Sequence, residues 1–166
     1  MYLSRATTAD IPVIARLAEV IWWEHYPEII SDEQIRYMLS EWYSPAALSE
    51  QMTRLGHDFW LIAESPDTAP CGYVAISCKE PPDGYYLHKF YINGRRKGMG
   101  SAAFAELLSH YPDWQTVRLN VNRRNFRSVN FYFKMGFTVE SIMDLPVGEE
   151  FIMDDFVMVK RRHHAS

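Results

Sequence analysis

The sequence predicts a mixed α/β domain with one central sheet of about six to seven mostly antiparallel strands and helices on both faces. Three observations carry this. Short apolar runs and helical-period stripes succeed one another in the order β-α-α-α-β-β-β-α-β-α-β-β. A length of 166 residues suits one domain, 1–166, with a sizeable core. A hydrophobic content of 48% is that of an ordinary globular chain.

The elements follow in order. Tyr2 to Arg5 reads as a strand. Thr7 with Asp10 forms a capping box, and Ile11, Ile14, Ala15, Ala18, Ile21 and Trp22 make the stripe of the helix behind it, which Pro27 stops. Ser31 with Gln34 opens a second helix striped by Ile35, Met38, Leu39 and Trp42. Ser44-Pro45 pairs an N-cap with proline at the first helical position, and Gly56 is expected at C′. Residues 58–64 and 72–79 read as a hairpin across Ser65 to Pro70. Pro81-Pro82-Asp83-Gly84 is a tight turn into a strand over 85–92, and Asn93-Gly94 turns the chain again. A helix over 102–108 carries Phe104, Leu107, Leu108 and Tyr111 on one side. Then come a strand over 116–122, a helix over 126–135 closed by Gly136, a strand over 137–144, a turn at Pro146 to Gly148 and a strand over 151–159. Lys160 to His164 is expected as a solvated tail.

Composition narrows the partners. The net charge of −4 argues against nucleic acid as the main one. The charge is unevenly spread: residues 1–67 carry −7, residues 79–134 carry +6 and residues 135–166 carry −3. A polyanion would be drawn to the basic middle. The acidic first part suits a cationic acceptor, or is an ordinary solvated face. Cys71 and Cys78 match no metal or redox spacing and do not indicate a disulfide. No long apolar run is present, so neither a signal peptide nor a membrane helix is expected, and the cytoplasm is the default location.

The stretch Arg95-Arg-Lys-Gly98-Met-Gly100-Ser101 lies between the end of one strand and the start of a helix. The first N–H groups of a helix have no partner within it and carry partial positive charge. Glycines remove the Cβ atoms that would hold a ligand away, and three cations, Arg95, Arg96 and Lys97, stand beside them. Such a site suits phosphate or pyrophosphate. A P-loop is excluded because no lysine follows the right glycine. The dinucleotide pattern formally fits Gly98, Gly100 and Ala103, but the next strand ends in Asn122-Arg123 instead of an acid, which leaves NADP as an alternative. The loop also comes late in the chain for that fold.

A third pattern fits better. Arg95-x-x-Gly98-x-Gly100 resembles the pyrophosphate-binding motif of the GCN5-related N-acetyltransferase (GNAT) family. The second signature of that family is matched by Asn125, Ser128, Phe131-Tyr132 and Gly136-Phe137. The resemblance is specific over 85–137, with motif segments 85–111 and 116–137. It implies acetyl-CoA as co-substrate and no metal. It implies backbone N–H groups of Phe90, Tyr91 and Ile92 on the pantetheine and the thioester carbonyl. Arg95, Arg96, Lys97, Gly98, Met99, Gly100 and Ser101 would hold the pyrophosphate. Asn125, with Ser128 three residues on, would bind the pantetheine side, and Tyr132 would give a proton to the departing thiolate. The alternative for Tyr132 is a core tyrosine with a satisfied hydroxyl. Segment 22–56 is similar to the bacterial subgroup that includes PaiA-type polyamine acetyltransferases. The family often pairs through late strands, which implies a homodimer.

The general base is not readable. His88 lies on the motif strand, and Glu24 stands beside Trp22, Trp23 and Tyr26. Those aromatics are either core or a cage for an alkylammonium. The sequence thus points to transfer of an acetyl group to the primary amine of a small molecule. A coenzyme A-binding sensor without turnover and an NADP-dependent oxidoreductase are the other readings.

Overall fold

A computed structural model describes residues 1–80, 83–94 and 96–163. It contains β1 (Tyr2–Arg5), α1 (Ile11–His25), α2 (Asp32–Tyr43), α3 (Pro45–Thr53), β2 (Asp58–Ala63), β3 (Gly72–Glu80), β4 (Gly84–Ile92), α4 (Met99–Ser109), β5 (Thr116–Asn122), α5 (Phe126–Lys134), β6 (Thr138–Gly148) and β7 (Phe151–Arg161). The strands form a seven-stranded sheet in the order β1-β2-β3-β4-β5-β7-β6. β1–β2, β2–β3, β5–β7 and β6–β7 are antiparallel, and β4–β5 is parallel. The predicted mixed α/β class and order of elements hold.

The chain divides into two compact units. The first comprises Met1–Ser77 with Lys89–Pro112. The burial of its strands explains their sequence: β2 and β3 read as continuous apolar runs because both faces are covered. Successive residues of β4 show the two coverings. The Tyr91 ring lies 6.0 Å from that of Trp22 on α1, while the ring of the preceding Phe90 lies 6.1 Å from that of Phe104 on α4. Neighbouring strand residues point to opposite faces, so α1 and α4 cover opposite sides of this part of the sheet. The end of α4 is fixed by a polar chain in which the Trp60 indole donates to the Tyr111 hydroxyl (3.0 Å) and that hydroxyl donates to Asp58 (3.0 Å). Arg5 pairs with the other oxygen of Asp58.

The second unit comprises Cys78–His88 with Asp113–Ser166. Here Gly84 to Leu87 of β4 run parallel to Thr116 to Leu119 of β5, and β5 pairs along its length with β7. β7 alternates buried Met153, Asp155 and Val157 with more open residues up to Val157, after which Met158 and Val159 are buried as well. β6 is the edge strand and is exposed almost throughout.

Several expected boundaries move. α4 starts at Met99, three residues before the expected start at 102, so half of the glycine-rich loop is helix. Gly56 is left-handed (φ 67°) but lies two residues past the Arg54 cap, one further than expected. The turn expected at Pro146 to Gly148 belongs to β6, and the chain reverses at Glu149-Glu150, both with positive φ (46° and 67°). Proline is tolerated there because β6 is an edge strand with a register shift between Pro146 and Gly148. Lys160 and Arg161 are the end of β7, not a tail; Lys160 Nζ donates to the Met135 carbonyl (2.6 Å). His164 and the Pro81-Pro82 part of the predicted turn lie outside the described residues.

Candidate active site

The glycine-rich motif lies in the first unit. β4 ends at Ile92, and the Asn93 N–H donates to the Cys71 carbonyl (2.6 Å), which holds the strand end against the start of β3. Gly72 is required here. An added Cβ would stand 2.4 Å from the Tyr91 carbonyl oxygen and 3.0 Å from Ile92 Cα, so the backbones of the two strands meet where only glycine fits. The buried Met99 side chain packs under Gly94 and closes the turn.

Gly98 is the N-cap of α4, left-handed at φ 90°, and no described side chain caps the helix by a hydrogen bond. An added Cβ at Gly98 would meet nothing within 4 Å. The glycine is therefore needed for its backbone angle, not for space in the protein. What results is an uncapped helix N-terminus with Gly100 and Ser101 in its first turn. It can bind an anion through backbone N–H groups and the helix dipole. Of the three expected cations, Arg96 is ion-paired with Glu64 at the end of β2 (2.8 Å), Lys97 is exposed, and Arg95 lies outside the described residues.

The aromatics of the 22–56 segment separate by face. Trp22 and Tyr26, one turn apart on α1, are 1% and 7% exposed and pack at 4.4 Å between ring centroids. The Tyr26 and Tyr91 hydroxyls share a hydrogen bond (2.9 Å), tying α1 to the motif strand. The Trp22 indole and the Tyr73 hydroxyl both donate to the buried Tyr43 hydroxyl (3.3 and 2.9 Å). Burial holds both tyrosines, 43 and 73, well above the ordinary phenol range, so they stay neutral donors. Glu24, on the same helix, is exposed.

Sequence reasoning missed Lys89. Its ammonium lies 5.1 Å above the Tyr43 ring and 5.9 Å from the Phe59 ring, and burial pushes its pKa down to about 8. The cation beside the aromatic cluster is thus the chain's own. Its place between His88 and Phe90 in a strand of aromatics was the available signal.

The second signature lies in the second unit. Asn125 is the N-cap of α5; its Oδ1 accepts from the Ser128 N–H (3.1 Å), and the residue is 4% exposed. Sequence reasoning named both residues but not this bond between them. Tyr132 is buried, with its ring against Phe131 (5.3 Å) and Phe137 (5.4 Å). Gly136 turns the chain at φ 87°, and Phe137 returns an N–H to the Tyr132 carbonyl (3.0 Å). His88 is half-buried with its ring 5.0 Å from Tyr86. Among the described residues no group of three His, Cys, Asp or Glu side chains could hold a metal ion. No described helix is long and apolar enough to cross a membrane.

No curated protein matches the chain. Among solved structures, it is similar to a PaiA N-acetyltransferase from Thermoplasma acidophilum in complex with coenzyme A (TM-score 0.74, 24% identity, 98% of this chain and 100% of that one). It is also similar to a GCN5-related N-acetyltransferase from Rhodopseudomonas palustris (0.73, 14%, 97% and 95%). A third is a ribosomal-protein-alanine N-acetyltransferase from Brucella melitensis (0.64, 19%, 98% and 100%). At these identities the likeness is one of fold. The model of the acetyltransferase (GNAT) domain matches residues 28–150, which include both signatures, and the chain belongs to the GNAT acetyltransferase family.

Proposed function

We propose that this acetyltransferase uses acetyl-CoA to acetylate the primary amine of a small molecule, with polyamines the first class to try. The observation that carries the reading is the bare N-terminus of α4 behind left-handed Gly98, at the end of a strand and inside the matched family domain. A pyrophosphate fits it by charge and by hydrogen-bond direction. The Thermoplasma neighbour, a PaiA N-acetyltransferase crystallised with coenzyme A, supports the cofactor and the subgroup.

In this reading Gly98, Met99, Gly100 and Ser101 bind pyrophosphate through their backbone, with Arg95, Arg96 and Lys97 adding charge. Backbone N–H groups of Phe90 to Ile92 take the pantetheine and the developing oxyanion, a role worth about 3 kcal/mol per donor. Asn125 serves the pantetheine side while capping α5. The chemistry is direct attack. A neutral amine forms the N–C bond, the C–S bond breaks, and Tyr132 gives its phenolic proton to the departing thiolate. A positioned acid of this kind contributes roughly 10²–10⁴-fold. Trp22 and Tyr26 shape the acceptor side by fixing Tyr91, and His88 and Glu24 are the residues to test as base.

Two further assignments belong to this reading. The enzyme works in the cytoplasm, in keeping with its free cysteines. It pairs as a homodimer through β6, whose Ile142 is 62% exposed and, with Leu145 and Ile152 across the hairpin, offers an apolar edge.

Calorimetric titration with acetyl-CoA, coenzyme A and NADP in parallel tests the cofactor. Near-stoichiometric acetyl-CoA binding is expected, followed by turnover of spermidine or another amine in a mass-spectrometric panel. Binding without turnover of any amine would make the protein a coenzyme A sensor. Binding of NADP alone would overturn the reading.

A further inference from the structure

Two aspartates stand side by side in β7 and are treated differently. Asp154 is half-buried and served: it accepts from the Asn122 amide (3.0 Å) and lies 3.8 Å from the Arg124 guanidinium. Asp155 is only 4% exposed, and among the described residues its Oδ1 has no hydrogen-bond partner. The nearby guanidinium of Arg123 is committed to Asp144. The Tyr86 hydroxyl beside Asp155 is committed to the Asn120 carbonyl oxygen, leaving the Asn120 amide to serve the Asp155 carboxylate from one side. A carboxylate buried with an empty lone pair and no salt bridge is costly. Such a group persists where something outside the chain completes it.

We propose that Asp155 Oδ1 binds the ammonium group of the amine acceptor, with the rings of Tyr86 and His88 lining the approach. This deepens the reading above and rests on it for the acceptor being an amine. A primary ammonium supplies both things the site lacks, a positive charge and N–H donors. A metal ion is a poorer fit, because no third ligand stands nearby among the described residues. Tyr86 and His88 pack ring to ring at 5.0 Å, and aromatic faces favour an alkylammonium. Burial has already pushed the Asp155 carboxyl up to about 6, with the like charge of Asp154 adding to the rise and the Asn120 bond and Arg123 opposing it. The same crowding raises Tyr86 to about 12 and keeps it neutral. Residue 155 falls on the buried parity of β7, with Met153 and Val157.

The test is a carbon-13 NMR titration of the wild-type protein, labelled at aspartate and assigned through the Asp155 β-protons, with butylammonium chloride against potassium chloride at equal ionic strength. A saturable shift of the Asp155 carboxyl signal with butylammonium and none with potassium is the expected result. No shift, or the same shift with both salts, overturns the proposal. Acetyl-CoA calorimetry on the same sample reads the cofactor separately. Acetyl-CoA binding without a butylammonium response refutes this site alone, and a butylammonium response without acetyl-CoA binding refutes the cofactor and leaves the ammonium site standing. In Asp155→Asn the KM for spermidine should rise at least tenfold while acetyl-CoA affinity stays within twofold; an unchanged KM counts against the site. The variant should also separate this role from a structural one. A carboxyl whose folded value lies above its unfolded one costs stability as pH rises through the window from about 4 to 6 and is neutral below it. Asp155→Asn should therefore melt above the wild type at pH 7 and close to it at pH 4. A variant that melts lower at both would make Asp155 a structural residue.

Discussion

The starts of α4 and α5 offer the clearest contrast in the molecule. Both helices follow a strand by a short loop and both lie in a family signature, yet they treat their first N–H groups oppositely. α5 caps itself: Asn125 accepts from Ser128 and is buried doing so. α4 is entered through a glycine with positive φ, and no described side chain caps its end by a hydrogen bond. One helix satisfies its own terminus and so is free to present side chains further along, Tyr132 among them. The other keeps its terminus bare and contributes backbone. The lesson is that the two signatures should respond differently to mutation: α5 to the loss of a functional group, α4 to a change of backbone angle.

The largest effect belongs to α5. Tyr132→Phe removes one hydroxyl and leaves the ring between Phe131 and Phe137. Turnover should fall about 10²-fold or more. Acetyl-CoA affinity by calorimetry should stay within about twofold, as expected for an interaction made only in the transition state. Wild-type turnover would remove Tyr132 from the chemistry and return it to the core.

Gly98→Ala comes next. Space is not the obstacle, since nothing lies within 4 Å of the new methyl group. The backbone angle is, because φ 90° is strained for any residue with a Cβ at a cost of about 1–2 kcal/mol. The chain can relieve that strain by reshaping the α4 terminus, so acetyl-CoA affinity should drop about tenfold and melting should fall only modestly. Unchanged affinity would mean that the bare terminus does not bind the cofactor.

Asn125→Ala tests the other half of the contrast. Loss of an N-cap costs about 1 kcal/mol. Asn125→Ser should restore most of that stability, because serine caps as well. If acetyl-CoA affinity recovers along with stability, Asn125 acts through the shape of α5; if it stays low, the amide itself touches the cofactor.

The same contrast explains what could be read in advance. The order of elements was legible because each carries its own periodicity, and the Ser31 and Ser44 caps lie in local spacings that a single sequence displays. The start of α4 was misplaced because its first turn, Met99-Gly100-Ser101, has glycine where a helix normally avoids it. The β6 turn was misplaced because Pro146 and Gly148 look like a reversal, whereas pairing with β7 carries the strand through them to Glu149. Lys89 and Asp155 were missed for a different reason. Their peculiarity lies in their surroundings, which depend on residues far along the chain: Tyr43 and Phe59 for one, Tyr86 and Asn120 for the other. Gly72 belongs with them, since the strand it must admit begins a dozen residues later.

The smallest predicted effect probes the charge around the bare helix end. Arg96 pairs with Glu64, and both side chains are about half exposed or more (67% and 46%), so the pair adds at most about 1 kcal/mol to stability. Its larger consequence concerns the ligand. While Glu64 is present, Arg96 offers a pyrophosphate little net charge. Glu64→Gln should release that cation and raise acetyl-CoA affinity about two- to fourfold at 20 mM salt, with almost no change in melting temperature. At 500 mM salt the gain should vanish, because exposed charges are then screened over a few ångströms. A gain that survives high salt would mean that Glu64 acts through shape, and a loss of affinity would mean that the pair holds the loop in its binding form. Either result would shift part of the anion site from the backbone of α4 to the side chains before it, and so redraw the contrast with α5.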